Sequence, residues 1–129
     1  MALFTKEWIQ HFASAWNDEP AIFQPLKSVD FTGKIAYGFL DEEFARFALN
    51  VVNGRVVAVN SAEDEDLCWD VRAHPEDWQK FANVELSIMD VSMAYTSRKL
   101  QFKAGNYASM IRDPMLSKVF LKSFEIMAA

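Results

Sequence analysis

Acidic side chains are the groups in this sequence best suited to proton transfer. Asp90 is flanked by apolar residues, and a carboxylate in apolar surroundings has a raised pKa, as a general acid or base requires. Asp70 lies two positions before Arg72 in "WDVRA", so the two side chains share a face of a strand and could form a surface ion pair worth about 0–1 kcal/mol. An enzyme would use Asp90, Asp70 or Tyr95 to move protons, whereas a carboxylate that points into water would do no chemistry.

The cysteine and the two histidines give little support to nucleophilic or metal chemistry. Cys68 is the one cysteine, so no internal disulfide or multi-cysteine metal site can form. His11 and His74 fall in different elements instead of lying at i and i+4 on one helix. A Cys68–His74 dyad requires the fold to bring the pair together, and a buried cysteine with a helix-capping histidine is the commoner arrangement. We expect no catalytic residue, no metal and no cofactor.

The segment "KLQFKAGNYASMI" (99–111) runs from a strand through a glycine into a helix, which is the layout of many phosphate sites. It has a single glycine, whereas a dinucleotide fingerprint needs three and a P-loop needs Gly-Lys-Ser/Thr. We therefore predict that Gly105 turns the chain tightly and that Asn106 caps the next helix. Whether Asn106 also meets the polar head of a ligand stays open.

Composition indicates one globular domain, residues 1–129, with 51% hydrophobic residues. The 13 basic and 18 acidic residues give a net charge of -5 without a Lys or Arg cluster, so no nucleic acid is expected as a partner. No secretory signal is evident, and no apolar run approaches the roughly 20 residues that cross a bilayer. We expect a soluble protein, with transient contact to a lipid surface left open.

The N-terminal residues predict an amphipathic helix over residues 3–16. Its apolar positions recur at helical spacing: Phe4, Trp8, Ile9, Phe12 and Trp16. We expect this stripe to be core, with a partner enzyme or a membrane as the alternative contact. Pro20 and Pro25 then predict a loop or a short turn of helix.

Alternating residues from position 31 onward predict strands. "KIAYGFL" is one, and "FARFALNVVNGRVVAVN" predicts a hairpin with Asn53-Gly54 at its turn. This register pairs Leu49 with Ala58 and gives one apolar face, formed by Phe47, Leu49, Val51, Val56 and Ala58. An acidic turn precedes "LCWDVRA", which is predicted to continue the sheet antiparallel.

Helices dominate the second half of the sequence. Pro75 begins a short helix with Trp78 and Phe81 on one face, and "ELSIMDVSMAY" predicts a second helix with a methionine-rich apolar side. "SRKLQFKAGN" is the last strand, and Asp113-Pro114 starts or kinks the final helix. The chain is therefore predicted to be α+β, with helices on one face of an antiparallel sheet of about five strands that is mixed at an edge.

The strand, turn and helix of "RKLQFKAGNYASMI", with the methionine-rich helix before them and the apolar helix after them, resemble the sterol carrier protein 2 (SCP2-like) family. The resemblance covers residues 31–124. In that family a "GK-x-K-x-x-G-D" strand precedes a helix that covers an apolar tunnel. The sequence departs from the pattern at Asn83, Ser97-Arg98 and Asn106, where the family has glycine, Gly-Lys and an acidic residue. Asn tolerates left-handed geometry and caps helices, so we expect the fold to survive.

The resemblance implies non-enzymatic binding, and with it intracellular transfer, of a hydrophobic molecule such as a sterol, fatty acid, acyl-CoA or isoprenoid-like lipid. The tunnel would lie between the sheet and the helices. We expect its lining to be Phe81, Leu86, Met89, Met93, Phe102, Met110, Met115, Phe120 and Phe124. Flexible, polarizable methionines suit ligands of differing shape, although such a stripe can equally be core.

Two alternatives to a lipid carrier stay open: an enzyme acting on a hydrophobic or steroid-like substrate, and an accessory subunit that presents such a substrate to a partner enzyme. A monomer or a weak homodimer is expected. Mammalian members of the family end in a peroxisomal tripeptide, whereas this chain ends "EIMAA", so a cytoplasmic location is expected.

Overall fold

A computed structural model describes residues 3–62, 66–83 and 85–128. Within these ranges the chain has the predicted α+β fold, with a five-stranded mixed sheet and packed helices. In chain order the elements are α1 (Lys6–Asn17), α2 (Pro20–Ser28), β1 (Gly33–Phe39), β2 (Ala45–Val52), β3 (Arg55–Ala62), β4 (Leu67–Ala73), α3 (Pro75–Asn83), α4 (Ile88–Thr96), β5 (Leu100–Ala104), α5 (Tyr107–Arg112), α6 (Pro114–Glu125) and a 3₁₀ turn (Ile126–Ala128).

The strand order is β3-β2-β1-β4-β5, with β1 and β4 parallel and the other neighbours antiparallel. The prediction that β4 continues the sheet antiparallel is wrong. The chain passes from the edge strand β3 to the far side of β1, and β4 then runs in the direction of β1, with Tyr37 opposite Val71. This topology puts the β2–β3 hairpin on one half of the sheet and β4 and β5 on the other.

The β2–β3 hairpin confirms the predicted turn at Asn53-Gly54, where both residues have positive φ. The predicted pairing of Leu49 with Ala58 is wrong, because Leu49 lies opposite Val59. A bulge at Val57 adds one residue to β3. Ala58 is consequently exposed, and Val59 packs against the core.

Helix α1 begins later than the predicted span of 3–16. Phe4 has φ of 64°, which is outside helical geometry, and Thr5 is the N-cap. The Thr5 hydroxyl accepts a hydrogen bond from the N–H of Trp8 at 3.2 Å. The helix is therefore set by its cap, while its apolar stripe continues to Phe4 outside the helix.

Helix α2 replaces the loop or short turn predicted from its prolines. Pro20 takes the first helical position, where its missing N–H costs nothing, and Pro25 lies inside the helix. Ile22 and Leu26 of this helix point into the core and are fully buried. Their burial, at roughly 1.5–3 kcal/mol each, offsets the hydrogen bond lost at Pro25.

Aromatic rings fill the interior between the sheet and the helices. The α1 side chains Trp8, Phe12 and Trp16 are buried among them, which confirms the stripe as core and argues against it as a docking surface for a partner. The Trp16 indole N–H donates to the carbonyl of Gly54 at 3.0 Å, and that of Trp8 donates to the carbonyl of Met127 at 3.2 Å. The indole hydrogen bonds thus join α1 to the hairpin turn and to the 3₁₀ turn.

The outer face of the sheet holds a buried ion pair. Arg72 Nε lies 2.6 Å from Asp70 Oδ1 and Arg72 Nη2 lies 3.0 Å from Asp70 Oδ2. The Arg72 guanidinium also donates to the carbonyl of Phe39 at the end of β1 and to those of Glu42 and Glu43 in the β1–β2 connection. The predicted pair is confirmed, but its predicted surface setting is wrong, because the side chains are only 1% and 9% exposed.

Tyr37 makes the stability of the fold sensitive to alkaline pH. Burial raises the pKa of the Tyr37 phenol well above its ordinary value of 10.0, and a hydrogen bond with Ser123 of α6 opposes this only in part. Below about pH 10 the phenol is protonated in both states. Above it, the unfolded chain releases this proton and the folded chain keeps it, so the free energy of unfolding falls by about 1.4 kcal/mol per pH unit.

Urea unfolding between about pH 9 and about pH 11.5 tests this dependence. The free energy of unfolding should fall less steeply with pH in Tyr37→Phe than in the native chain. The difference in slope should approach about 1.4 kcal/mol per pH unit, which corresponds to one proton. Phe47→Leu is the matched control, since it changes a buried ring stacked on Tyr37 without removing a titrating group and should retain the slope of the native chain. Equal slopes in the native chain and Tyr37→Phe would contradict the assignment.

Candidate functional site

The residues predicted to line a ligand cavity lie in one half of the molecule, around α3, α4, β5, α5 and α6. The structure divides them into a buried group of Phe81, Met110, Phe120 and Phe124, a partly buried group of Leu86, Phe102 and Met115, and an exposed pair, Met89 and Met93. The space between sheet and helices is occupied by the rings of the first group. Contact of any of these residues with a ligand stays a prediction.

Phe102 of β5 marks the boundary between the surface and this half of the core. Its ring centroid lies 5.6 Å from that of the buried Phe120, 5.6 Å from Tyr107 and 6.5 Å from the exposed Tyr95. Tyr95 stacks on Tyr107 with centroids 3.9 Å apart, and the Ser92 hydroxyl lies 3.0 Å from the Tyr107 hydroxyl. An aromatic cluster therefore connects α4, β5 and α5.

Helix α4 is held by few buried side chains. Val91 and Ala94 are its buried residues, whereas Met89 and Met93 are 72% and 66% exposed. The methionine-rich side that the sequence suggested as a cavity wall therefore faces solvent. Apolar residues occur on every side of this helix, so their spacing in the sequence does not indicate which face packs against the core.

Asp90 has a structural role at the start of α4. Its carboxylate accepts hydrogen bonds from the backbone N–H and the hydroxyl of Ser87, both at 2.9 Å, and the Ser87 hydroxyl in turn accepts from the Asp90 N–H at 3.1 Å. This capping box lowers the pKa of the exposed Asp90. The raised pKa that a general acid needs is thus contradicted.

An open groove of about 360 Å³ lies between α3 and α4, and we name it the α3–α4 groove. It is lined by Asp77, Lys80, Phe81, Asp90, Met93, Ala94, Ser97 and Lys99. Three of these, Phe81, Met93 and Ala94, are apolar. A second groove, of about 350 Å³, continues along the exposed side of α4 and shares Met93 and Ser97 with the first.

A further groove, of about 470 Å³, lies between α4 and β5, and we name it the α4–β5 groove. Tyr95 and Phe102 form its apolar part, and Thr96, Arg98 and Gln101 form its polar part. Phe102 both lines this groove and packs on the buried Phe120, so its ring contacts the surface groove and the core.

The turn at Gly105 serves the fold. Gly105 has φ of 90°, and a Cβ at this position would lie 2.5 Å from Trp69 Cδ1 and 2.6 Å from the carbonyl oxygen of Cys68. Glycine is therefore required by both conformation and space. Asn106 is the N-cap of α5, as predicted, and its side-chain oxygen accepts from the N–H of Ser109 at 3.1 Å.

The remaining candidates do not form a reactive centre. Cys68 lies near the start of β4 and His74 directly follows its end, six residues or about 20 Å away, so they form no dyad. In the part of the chain that the structure describes, no three His, Cys, Asp or Glu side chains are grouped to hold a metal ion. Across the same ranges, no helix has the length and apolar character needed for a bilayer crossing.

Asp77 was not predicted to be a site residue. From the sequence it is one of two acidic residues in the first turn of a helix. The structure buries it beside Phe81 in the α3–α4 groove. Its position one residue before Trp78 and four before Phe81 places it at the edge of the buried face of α3, which is a signal the sequence does contain.

Comparisons with known proteins identify the fold. No family model matches the chain, and no curated protein matches it. Among solved structures, the crystal structure of sterol carrier protein 2 is similar, with a TM-score of 0.73 and 15% identity over 98% of this chain and 97% of that one.

Two further solved structures are similar. A conserved hypothetical protein of Thermus thermophilus, described as a candidate sterol carrier protein, has a TM-score of 0.69 and 17% identity over 100% of this chain and 92% of that one. The UbiJ-SCP2 ubiquinone synthesis protein has a TM-score of 0.57 and 12% identity over 90% and 84%. At these identities the likeness shows that the chain has the SCP2-like fold.

Proposed function

We propose that this SCP2-fold domain binds a lipid or another hydrophobic small molecule, without catalysis, beneath α4 and α5. The observation that carries the proposal is the small buried surface of α4, whose buried residues are Val91 and Ala94, in a half of the molecule whose core contains aromatic rings and a methionine. Phe102, Met110 and Phe120 lie in this half, and all three belong to the lining expected from the sequence.

The energetics favour α4 as the element that moves. Val91 and Ala94 are small, and burying Val91 contributes roughly 1.5–3 kcal/mol. A ligand that buries about 400 Å² of apolar surface gains roughly 10 kcal/mol before the cost of association. Elements with few buried contacts open most readily, so displacement of α4 is the least costly route to this space.

The SCP2-like fold supports the same ligand class, since a similar structure is that of a sterol carrier protein. We propose further that the domain acts in the cytoplasm as a monomer or a weak homodimer and releases its ligand to a membrane or a partner enzyme. Two of the three candidates of the enzyme alternative have structural roles, because Asp90 caps α4 and both oxygens of Asp70 bond to Arg72.

Organic extraction of the purified native protein, followed by mass spectrometry, should recover a lipid in molar proportion to the protein. Displacement of a fluorescent fatty acid by apolar ligands should give a second measure. Phe102→Trp, which adds bulk at the entrance, should weaken binding of the fluorescent fatty acid, and with it the displacement signal, by about fivefold or more, which corresponds to a loss of about 1 kcal/mol of binding free energy.

Phe44→Trp is the matched control, because Phe44 is 46% exposed on the β1–β2 connection and should leave displacement unchanged. An empty extract together with no displacement by any apolar ligand would refute the proposed function.

A further inference from the structure

The α3–α4 groove contains a carboxylate that has no partner among the described residues. Asp77 is 7% exposed and lines the groove beside Phe81. Within the described ranges, no residue gives its side chain a hydrogen bond or an ion pair. Every fully enclosed side-chain oxygen of the described residues has a hydrogen-bond partner. The carboxylate oxygens of Asp77 have none among these residues, so they are not fully enclosed and form part of the groove surface.

Helix electrostatics do not explain the burial of this carboxylate. An acidic residue in the first turn stabilises a helix through the macrodipole, and Glu76 occupies the same turn of α3 in an exposed position. Asp77 could stabilise the helix in this way from a solvent-exposed position as well. A carboxylate at a mostly buried residue gives up part of its hydration, and a donor that enters the groove would offset that loss.

The walls beside Asp77 suit an apolar body. Phe81 of α3 and Met93 and Ala94 of α4 face one another across the groove. Its volume of about 360 Å³ lies in the range of small-molecule sites, which are mostly apolar with a few convergent polar groups. A molecule in this groove would therefore be an amphiphile with its polar end at Asp77.

The other charges of the groove indicate an uncharged polar end. Lys80 and Lys99 also line it and oppose a cationic head beside Asp77, while an anionic head would be repelled by Asp77 and has no hydrogen to donate to its carboxylate. The carboxylate of Asp90 is occupied by Ser87. A hydroxyl satisfies these conditions, because it donates a hydrogen bond and carries no charge.

We propose that the α3–α4 groove binds an uncharged alcohol, whose hydroxyl donates to Asp77 and whose hydrocarbon part packs on Phe81 and Met93. The groove is open in the structure, so this binding does not depend on the displacement of α4. It is therefore separate from the interior site of the proposed function.

Three probes of equal chain length test the head group: 1-octanol, octanoate and octylamine, each titrated into the full chain and followed by NMR. Octanol should bind most tightly and shift the Met93 methyl and the Ser97 amide, with Val119 of α6 unaffected. Asp77→Asn should weaken octanol binding by about tenfold, because a hydrogen bond to a charged acceptor is stronger than one to an amide. The same change should strengthen octanoate binding, because it removes the repelling charge.

Glu76→Gln is the matched control, since it removes the same charge from the same turn outside the groove, and it should change binding less than twofold. Tighter binding of octanoate or octylamine than of octanol to the native chain would overturn the proposal, as would an unchanged octanol affinity in Asp77→Asn. If Asp77→Asn does not fold, the order of affinity of the three probes for the native chain still tests the proposal, because 1-octanol must bind most tightly. Shifts confined to Val119 and its neighbours would overturn it while supporting an interior site.

Discussion

Arg72→Met is expected to lower the free energy of unfolding by about 3–5 kcal/mol, the usual cost of removing one partner of a buried ion pair. The substitution leaves the Asp70 carboxylate buried without its counter-charge. It also removes the donor to three backbone carbonyls, which fix the β1–β2 connection over the sheet. Urea unfolding followed by tryptophan fluorescence measures the loss.

Arg46→Met is the matched control for this experiment. Arg46 also pairs with an acidic residue, Glu42, at 2.7 Å, but the two side chains are 46% and 40% exposed. An exposed pair contributes about 0–1 kcal/mol, so Arg46→Met should cost no more than that. The double change Asp70→Leu with Arg72→Met should recover part of the stability lost in Arg72→Met, because no charge remains buried. Similar losses for Arg46→Met and Arg72→Met would contradict the buried role of Arg72.

Trp78→Ala is expected to destabilise the protein by about 3–5 kcal/mol. Trp78 is fully buried, and its ring lies against Phe4, Tyr37 and Phe124 with centroids 5.3–6.0 Å apart. Its indole N–H donates to the carbonyl of Gly38 at 2.8 Å. This one side chain therefore joins α3 to α6, to β1 and to the segment before α1.

Trp78→Phe separates packing from hydrogen bonding. It retains an aromatic ring and removes the indole donor, so a smaller loss of about 1–3 kcal/mol is expected. Val57→Ala is the surface control, since Val57 is 59% exposed, and it should change the free energy of unfolding by no more than about 0.5 kcal/mol. A Trp78→Ala variant as stable as Val57→Ala would show that α3 is not anchored by this residue.

Local signals predicted much of the fold. Asn53-Gly54 located the hairpin, Pro75 and Asp113-Pro114 located helix starts, and Asn106 was recognised as a cap. Each of these depends on the residue's own backbone geometry or hydrogen bonding, which neighbours in the sequence suffice to indicate.

The wrong predictions concern features of the fold that are determined by contacts between residues far apart in the sequence. The bulge at Val57 could not be predicted, because valine fits either face of the strand and no glycine marks the position. Helix α2 forms despite Pro25 because Ile22 and Leu26 are buried. The parallel pairing of β4 with β1 is a choice between distant strands that alternation along one strand cannot reveal.

The structure shows where the predicted lining residues lie, and their contact with a ligand stays a prediction. Met110 and Phe120 belong to the core cluster, and Phe102 packs against it with its ring centroid 5.6 Å from that of Phe120. The orientation of α4 was missed, although Ser87 and Asp90 form a readable S-x-x-D capping signal that would have assigned the carboxylate to the cap. Asp77 could also have been singled out, since it lies at the edge of the buried face of α3, but its place in a groove between α3 and α4 is a tertiary feature that the sequence of α3 alone does not show.

The parallel pairing of β1 with β4 has a consequence for synthesis on the ribosome. One edge of β1 is completed by β2 soon after it emerges, but the other waits for β4, about 30 residues later. At about 5–20 residues per second, that edge lacks its native neighbour for roughly two to six seconds. An open strand edge recruits other chains, so slowed translation between β1 and β4 should favour aggregation of the nascent protein.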